Sequence, residues 1–154
     1  MTSDEYVNQY TDNLRDFLRD FKATNQLISD EETGDMFLRW AILNAVEMFN
    51  ITPPLLGNWD ISLIPESMII KKAAATVLES AAILYTRNQL PYVDPGGTSI
   101  SFGSQGPGYQ TLAQLFHAQW DQMIRSYKVA RNIEDSWGRG VHSEYFWIQG
   151  GYFY

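Results

Sequence analysis

The sequence predicts a mainly α fold: a bundle of about four helices, a short β-hairpin finger between the last two long helices, and an extended C-terminal arm. Three observations lead there. Apolar residues recur every three or four positions in four separate stretches, which is the helical period. Proline and glycine clusters break the chain at Pro53, Pro54 and Gly57, at Pro91 to Gly97, and at Gly106 to Gly108. From Glu134 onward the helical stripe gives way to aromatics separated by glycines.

The first helix is read at 4–22. Thr2 and Ser3 are possible N-caps, Asp4 and Glu5 suit the positive end of the helix dipole, and Val7, Tyr10, Leu14, Phe17, Leu18 and Phe21 keep helical spacing. A second helix start is signalled by Ser29, Asp30, Glu31 and Glu32, with Ser29 as cap and Glu32 reaching back. That helix runs to about Asn50 through Met36, Phe37, Trp40, Ile42, Leu43, Val46, Met48 and Phe49, and is apolar on most sides, which predicts a central place. The prolines that follow exclude a continuous helix, so 51–64 is read as a connector pinned by Leu55, Leu56, Trp59 and Ile61. A third helix spans about 65–90, with Ala73 to Ala75 and Ala81, Ala82 allowing close approach of a neighbour.

The finger is placed at 91–108. Asp94, Pro95, Gly96 and Gly97 are turn formers, and Thr98 to Phe102 alternate polar with apolar at strand period. Gly96, Gly97 and Gly106 are candidates for positive φ. The fourth helix, about 109–132, is expected to bury Leu112, Leu115, Phe116, Trp120, Met123, Ile124 and Tyr127, and to turn Asp121, Arg125 and Lys128 toward solvent. Two parts result: a helical domain at 1–133 and an extended arm at 134–154.

Composition excludes several function classes. With 154 residues one domain is expected. There is no Cys, hence no disulfide framework, thiolate metal site or Cys nucleophile. No apolar run is long enough to span a bilayer, and the acidic start lacks a secretion-signal pattern, which predicts a soluble chain without a membrane partner. The net charge of −7 is concentrated in the first 35 residues, where only Arg15, Arg19 and Lys22 oppose about half of all carboxylates. Sequence-specific nucleic-acid binding is disfavoured by that balance.

Tests for chemistry find no catalytic, cofactor or metal residue set. His117 and His142 belong to no zinc motif, and His117 reads as a flank of a buried helical face. The Asp30, Glu31, Glu32, Asp35 cluster lacks calcium-loop order and reads as a charged first turn. Ser99 and Ser101 lack a nucleophile elbow, and SFGSQGPG matches no phosphate-cradling loop. The expectation is a protein that is not an enzyme and has no cofactor. The aromatics Trp137, Tyr145, Phe146, Trp147, Tyr152, Phe153 and Tyr154, with Ile148, are instead read as docking residues, joined by Tyr92, Ile100 and Phe102 of the finger. Arg125, Lys128 and Arg131 form a possible DNA-facing stripe, against the plainer reading of a solvated face.

Ser99-Ile100-Ser101, Gly103 and Gly106, followed by a long helix with Leu112-Ala113-Gln114 near its start and basic Arg125, Lys128 and Arg131 toward its end, resembles the head-to-tail connector (adaptor, or neck) proteins of tailed bacteriophages. The likeness covers about one third of the chain by residue. It implies a virion structural protein, made in the host cytoplasm and located in the neck, that forms a dodecameric ring of itself beneath the portal protein. Such a ring would contact tail or neck proteins and surround passing double-stranded DNA without reading its sequence. The acidic N-terminal helix and the Pro53 to Trp59 connector have no match in that family, so a tail or baseplate subunit stays open, as does a monomeric helical protein-binding module.

Overall fold

A computed structural model of the chain describes residues 2–25, 30–55, 57–87, 91–93, 99–101 and 105–150, with the backbone alone at 91–93, 99–101, 105 and 137–150. Four α-helices make up most of it: α1 (Ser3–Leu18), α2 (Asp35–Ile51), α3 (Glu66–Arg87) and α4 (Gln105–Gly150). A 3-10 turn at Ile61–Leu63 leads into α3, and a two-stranded antiparallel ladder joins β1 (Pro91–Val93) to β2 (Ser99–Ser101). The helical bundle is therefore as expected. The ladder pairs Tyr92 with Ile100, while residues 94–98, which would have to close it into a hairpin, lie outside the described residues together with Phe102.

Each helix start and stop has a local cause. Thr2 caps α1 reciprocally: its hydroxyl accepts from Glu5 N–H and the Glu5 carboxylate accepts from Thr2 N–H at 2.8 Å. The helix stops at Leu18 and not at 22, because Arg19 takes the left-handed conformation with φ 55° and turns the chain. The Thr24 hydroxyl supports that turn by donating to Arg19 O at 2.7 Å. The α2 start also differs from expectation. It lies at Asp35 behind Gly34, with no side-chain cap, and Ser29 falls outside the described residues. The main-chain N–H groups of Glu32 and Thr33 are taken by the Asp20 carboxylate, each at 2.7 Å, so the acidic run is held as an ordered approach to the helix.

The core is formed where the four helices meet. Leu14 of α1, Leu38 and Ile42 of α2, Ile69 and Ala73 of α3, and Trp120 and Ile124 of α4 are all buried in one cluster. Ala73, Ala74 and Ala75 are fully buried, as their role in close helix approach predicts. α3 packs against each of the other three helices and is the central element; α2, expected there, leaves Met36, Trp40, Leu43 and Ile51 exposed along one face. Those four residues share a face because their spacing follows whole turns of 3.6 residues.

The largest departure concerns the arm. α4 starts four residues earlier than expected and runs without a break through 134–150, where extended backbone was anticipated. Pro107 is tolerated because it stands in the first turn, whose N–H groups have no intrahelical acceptor. Gly106 owes its place to proximity: a Cβ there would stand 3.2 Å from Thr86 Oγ1, and its φ is not positive. Beyond Glu134, Gly138 and Gly140 each cost about 1 kcal/mol of helix propensity. That is too little to stop a helix already nucleated over thirty residues, since each further residue adds a hydrogen bond without a new nucleus.

Candidate assembly interface

α4 has two parts with different surroundings. Up to Lys128 it packs on the body through Ala113, Trp120, Ile124 and Lys128, each at most 2% exposed. From Val129 to Ser136 every residue is exposed. At 1.5 Å per residue the whole helix is about 69 Å long, twice the length of α3, so its second half is a stem that outruns the bundle. Trp137, Tyr145, Phe146, Trp147 and Ile148, anticipated as docking residues, belong to this helical run; Tyr152, Phe153 and Tyr154 lie outside the described residues.

The stripe of basic residues does not form as drawn. Arg125 and Arg131 are exposed, and Arg131 pairs with Glu134 at 3.1 Å. Lys128 is only 1% exposed and cannot face DNA. Its ammonium donates to the carbonyls of Phe49 and Thr52 at the end of α2 and lies 4.7 Å from the centre of the Phe49 ring. A cation there meets the negative end of the α2 dipole and carbonyls that have no intrahelical donor. Burial lowers its pKa from the ordinary lysine value. The same corner holds Phe49, Trp59 and Tyr127 with ring centres 5.7 to 6.2 Å apart, and Asn50 bonds both the N–H and the carbonyl of Trp59. The sequence carried a signal for Lys128: it follows Trp120 and Ile124 at steps of four and so continues their buried stripe.

At the opposite end Arg15, 8% exposed, is the hub. It donates to Asp20 O, Thr33 O and Asp35 Oδ1, and its guanidinium also lies 3.2 Å from Glu31 and 3.5 Å from the Asp20 carboxylate. Burial pushes the Asp20 pKa up, but the N–H groups of Glu32, Asn25 and Thr33 and the Arg15 charge outweigh it and hold the carboxyl below its usual value. Glu32 accepts from Tyr85 O–H at 3.0 Å; burial, first, and then this bond push the Tyr85 pKa up to about 12. The acidic run is thus spent on Arg15, Tyr85 and the chain itself, and among the described residues no group of acids or histidines could hold a metal ion. A cavity of about 350 Å³ opens beside this hub, lined by Asp20, Asn25, Glu32, Phe37 and Tyr109 among others. Its Asp20, Asn25 and Glu32 side chains already bond to the protein.

His117 flanks the buried face as expected, within an arrangement the sequence did not reveal. Lys72 Nζ donates to His117 Nδ1 at 3.0 Å, Glu79 Oε1 stands 2.9 Å from Nε2 without hydrogen-bond alignment, and Lys72 lies 4.8 Å from the Trp120 ring centre. Lysine has no acceptor, so Nδ1 accepts and the ring proton of the neutral imidazole sits on Nε2. Burial lowers the Lys72 pKa, against the attraction of Glu79 and Asp121. These contacts tie α3 to α4, and His117 Nε2 is left without a hydrogen-bond partner.

Two leucines reach the surface where burial was expected. Leu112 and Leu115 are 46% and 49% exposed, because Ala113, Phe116 and Trp120 turn α4 so that both leucines point away from α3. Val129 and Ile133 continue on that side. Among the described residues no helix is long and apolar enough to cross a membrane. No protein-family model, curated protein or solved structure matches the chain.

Proposed function

We propose that the protein is a structural subunit of a head-to-tail connector in a tailed bacteriophage, non-enzymatic, forming a ring beneath the portal that surrounds the DNA channel. The observation that carries the reading is the α4 stem. The helix is exposed on all sides from 129 to 136 and buries nothing of its own there, whereas most helical stability in proteins comes from packing of an apolar face. Neighbours in an assembly supply the missing contacts. The exposed apolar face of α2, with Met36, Trp40, Leu43 and Ile51, adds a second surface of the kind that marks protein–protein contact.

In this reading the ladder of β1 and β2 belongs to a finger that docks on an adjacent ring, and the stem reaches a neighbouring subunit or portal. The net charge of −7 suits a channel that lets DNA pass without holding it. Tail or neck proteins are the adjoining partners on the far side.

The test is native mass spectrometry and negative-stain electron microscopy of the full chain, alone and with the portal ring from the same genome. Closed rings that co-sediment with the portal are expected, and a chain stopped after Ser136 keeps the body's fold but loses the joint complex. A chain that stays monomeric at all concentrations and ignores the portal overturns the reading.

A further inference from the structure

The seam between α3 and α4 gathers ionisable side chains around one unsatisfied atom. Lys72 and Glu79 stand on the same face of α3, two turns apart, and His117 and Asp121 stand one turn apart on α4. The imidazole lies between Lys72 and Glu79. Its Nδ1 accepts from Lys72 Nζ at 3.0 Å, and its Nε2 is buried without a hydrogen bond although Glu79 Oε1 is only 2.9 Å away. Lys72 is itself buried, with its ammonium 4.8 Å from the centre of the Trp120 ring. The neutral ring thus serves Lys72 and leaves Glu79 unserved.

We infer that this set is a pH-operated joint: on taking up a proton, His117 exchanges Lys72 for Glu79, and Lys72 passes to Asp121. A neutral imidazole accepts at one nitrogen and donates at the other, whereas an imidazolium donates at both. Protonation therefore removes the lone pair that holds Lys72 and sets two cations face to face across 3.0 Å with no acceptor between them. The ammonium has to withdraw. In the same step the charge on the ring draws the Glu79 carboxylate onto Nε2–H, so that a charge-assisted hydrogen bond replaces a misaligned contact. Asp121 is then the acid left for Lys72, which it already attracts together with Glu79.

The neighbouring groups leave the exchange to these four. Lys71, next to Lys72, is engaged by Gln119 at 2.9 Å, and α1 meets this part of α4 through the Phe17 ring on Phe116. Both settings cross the seam: Lys72 to His117 in the neutral state, Glu79 to His117 and Lys72 to Asp121 in the acid state. The helices stay packed while the cation leaves the Trp120 ring. Histidine is the side chain whose charge ordinarily changes between about pH 5 and 8, which places the exchange near neutrality. The joint lies inside one chain and does not rest on the connector reading.

The test is nitrogen-15 NMR of the full chain with labelled histidine and lysine side chains, titrated from about pH 8 to 5. Solution spectra serve for the free chain, and magic-angle spinning of sediments serves for assemblies. The chain has two histidines, so His142→Gln assigns the signals. At the alkaline end His117 is expected as the tautomer protonated on Nε2. As it takes up its second proton, the Lys72 Nζ signal moves with the same midpoint, while Lys128 Nζ, held by main-chain carbonyls, stays still. His117→Gln abolishes the Lys72 step. Lys72→Met raises the His117 midpoint and Glu79→Gln lowers it, each by at least about half a pH unit. A Lys72 signal that stays flat while His117 titrates overturns the proposal. So does an Nδ1-protonated tautomer at the alkaline end, or a midpoint that Lys72→Met lowers or leaves unchanged. The joint titration of His117 and Lys72 needs no substitution at either residue, so it decides the matter even where a variant fails to fold.

Discussion

Two buried cations hold opposite ends of the bundle, and they are compensated differently. Arg15 sits among carboxylates: Asp20, Glu31 and Asp35 all lie within 3.5 Å of its guanidinium. Lys128 has two main-chain carbonyls and an aromatic ring. The Arg15 end ties together a stretch without regular structure, where a planar fork can serve several acceptors at once. The Lys128 end closes one helix terminus, where a point charge is enough. Side chains of the Asp35 and Glu31 partners are 74% and 47% exposed, so water shares the work at the Arg15 end.

The comparison predicts unequal damage. Lys128→Ala removes a fully buried side chain and leaves the carbonyls of Phe49 and Thr52 without their donor, at a cost of about 3–4 kcal/mol in urea unfolding. Arg15→Ala costs about 1–3 kcal/mol, because the exposed carboxylates rehydrate and Asp20 keeps its N–H partners. If Arg15→Ala proves the more damaging, the distinction between the two ends fails.

Smaller effects come with pH. The depressed Asp20 pKa gives stability that is present above the unfolded carboxylate value of about 3.9 and lost as pH falls through the lower folded value. Arg15→Ala weakens that acid dependence, whereas Lys128→Met leaves it intact. On the alkaline side Lys128 gives a pH dependence of the same sign. Its folded pKa is lowered, so the folded chain releases a proton before the unfolded chain does, and stability rises with pH up to about 10.4. Lys72 contributes in the same direction. Tyr85 opposes both: with its pKa raised to about 12, its contribution is present below 10 and lost above it. The difference between wild type and Lys128→Met, followed by urea unfolding from pH 7 to 10, isolates the lysine and should grow in favour of wild type.

The four helices were legible because amphipathic spacing is a strong local signal, and the start of α1 was legible because Thr2 and Glu5 form a reciprocal cap. The stop at Leu18 was not, since Phe21 continues the apolar period and the turn at Arg19 depends on Thr24 and Asp20 further along. The arm was misread because glycines at 138 and 140 were weighed as breaks, without the long helix that precedes them. Lys128 and Lys72 were read by residue type as solvent-facing or left unremarked. Position decides there: each falls within a buried stripe, and a long aliphatic stem can be buried when its tip finds acceptors. Leu112 and Leu115 show the converse, apolar residues whose exposure follows from which way neighbouring side chains rotate the helix.

Lys128 is also the last buried residue of α4 before the exposed stem, and it is fastened to the end of α2 rather than to the adjacent α3. Tension applied to the stem therefore reaches α2 directly and the bundle is pulled as a block, instead of α4 peeling off α3 one turn at a time.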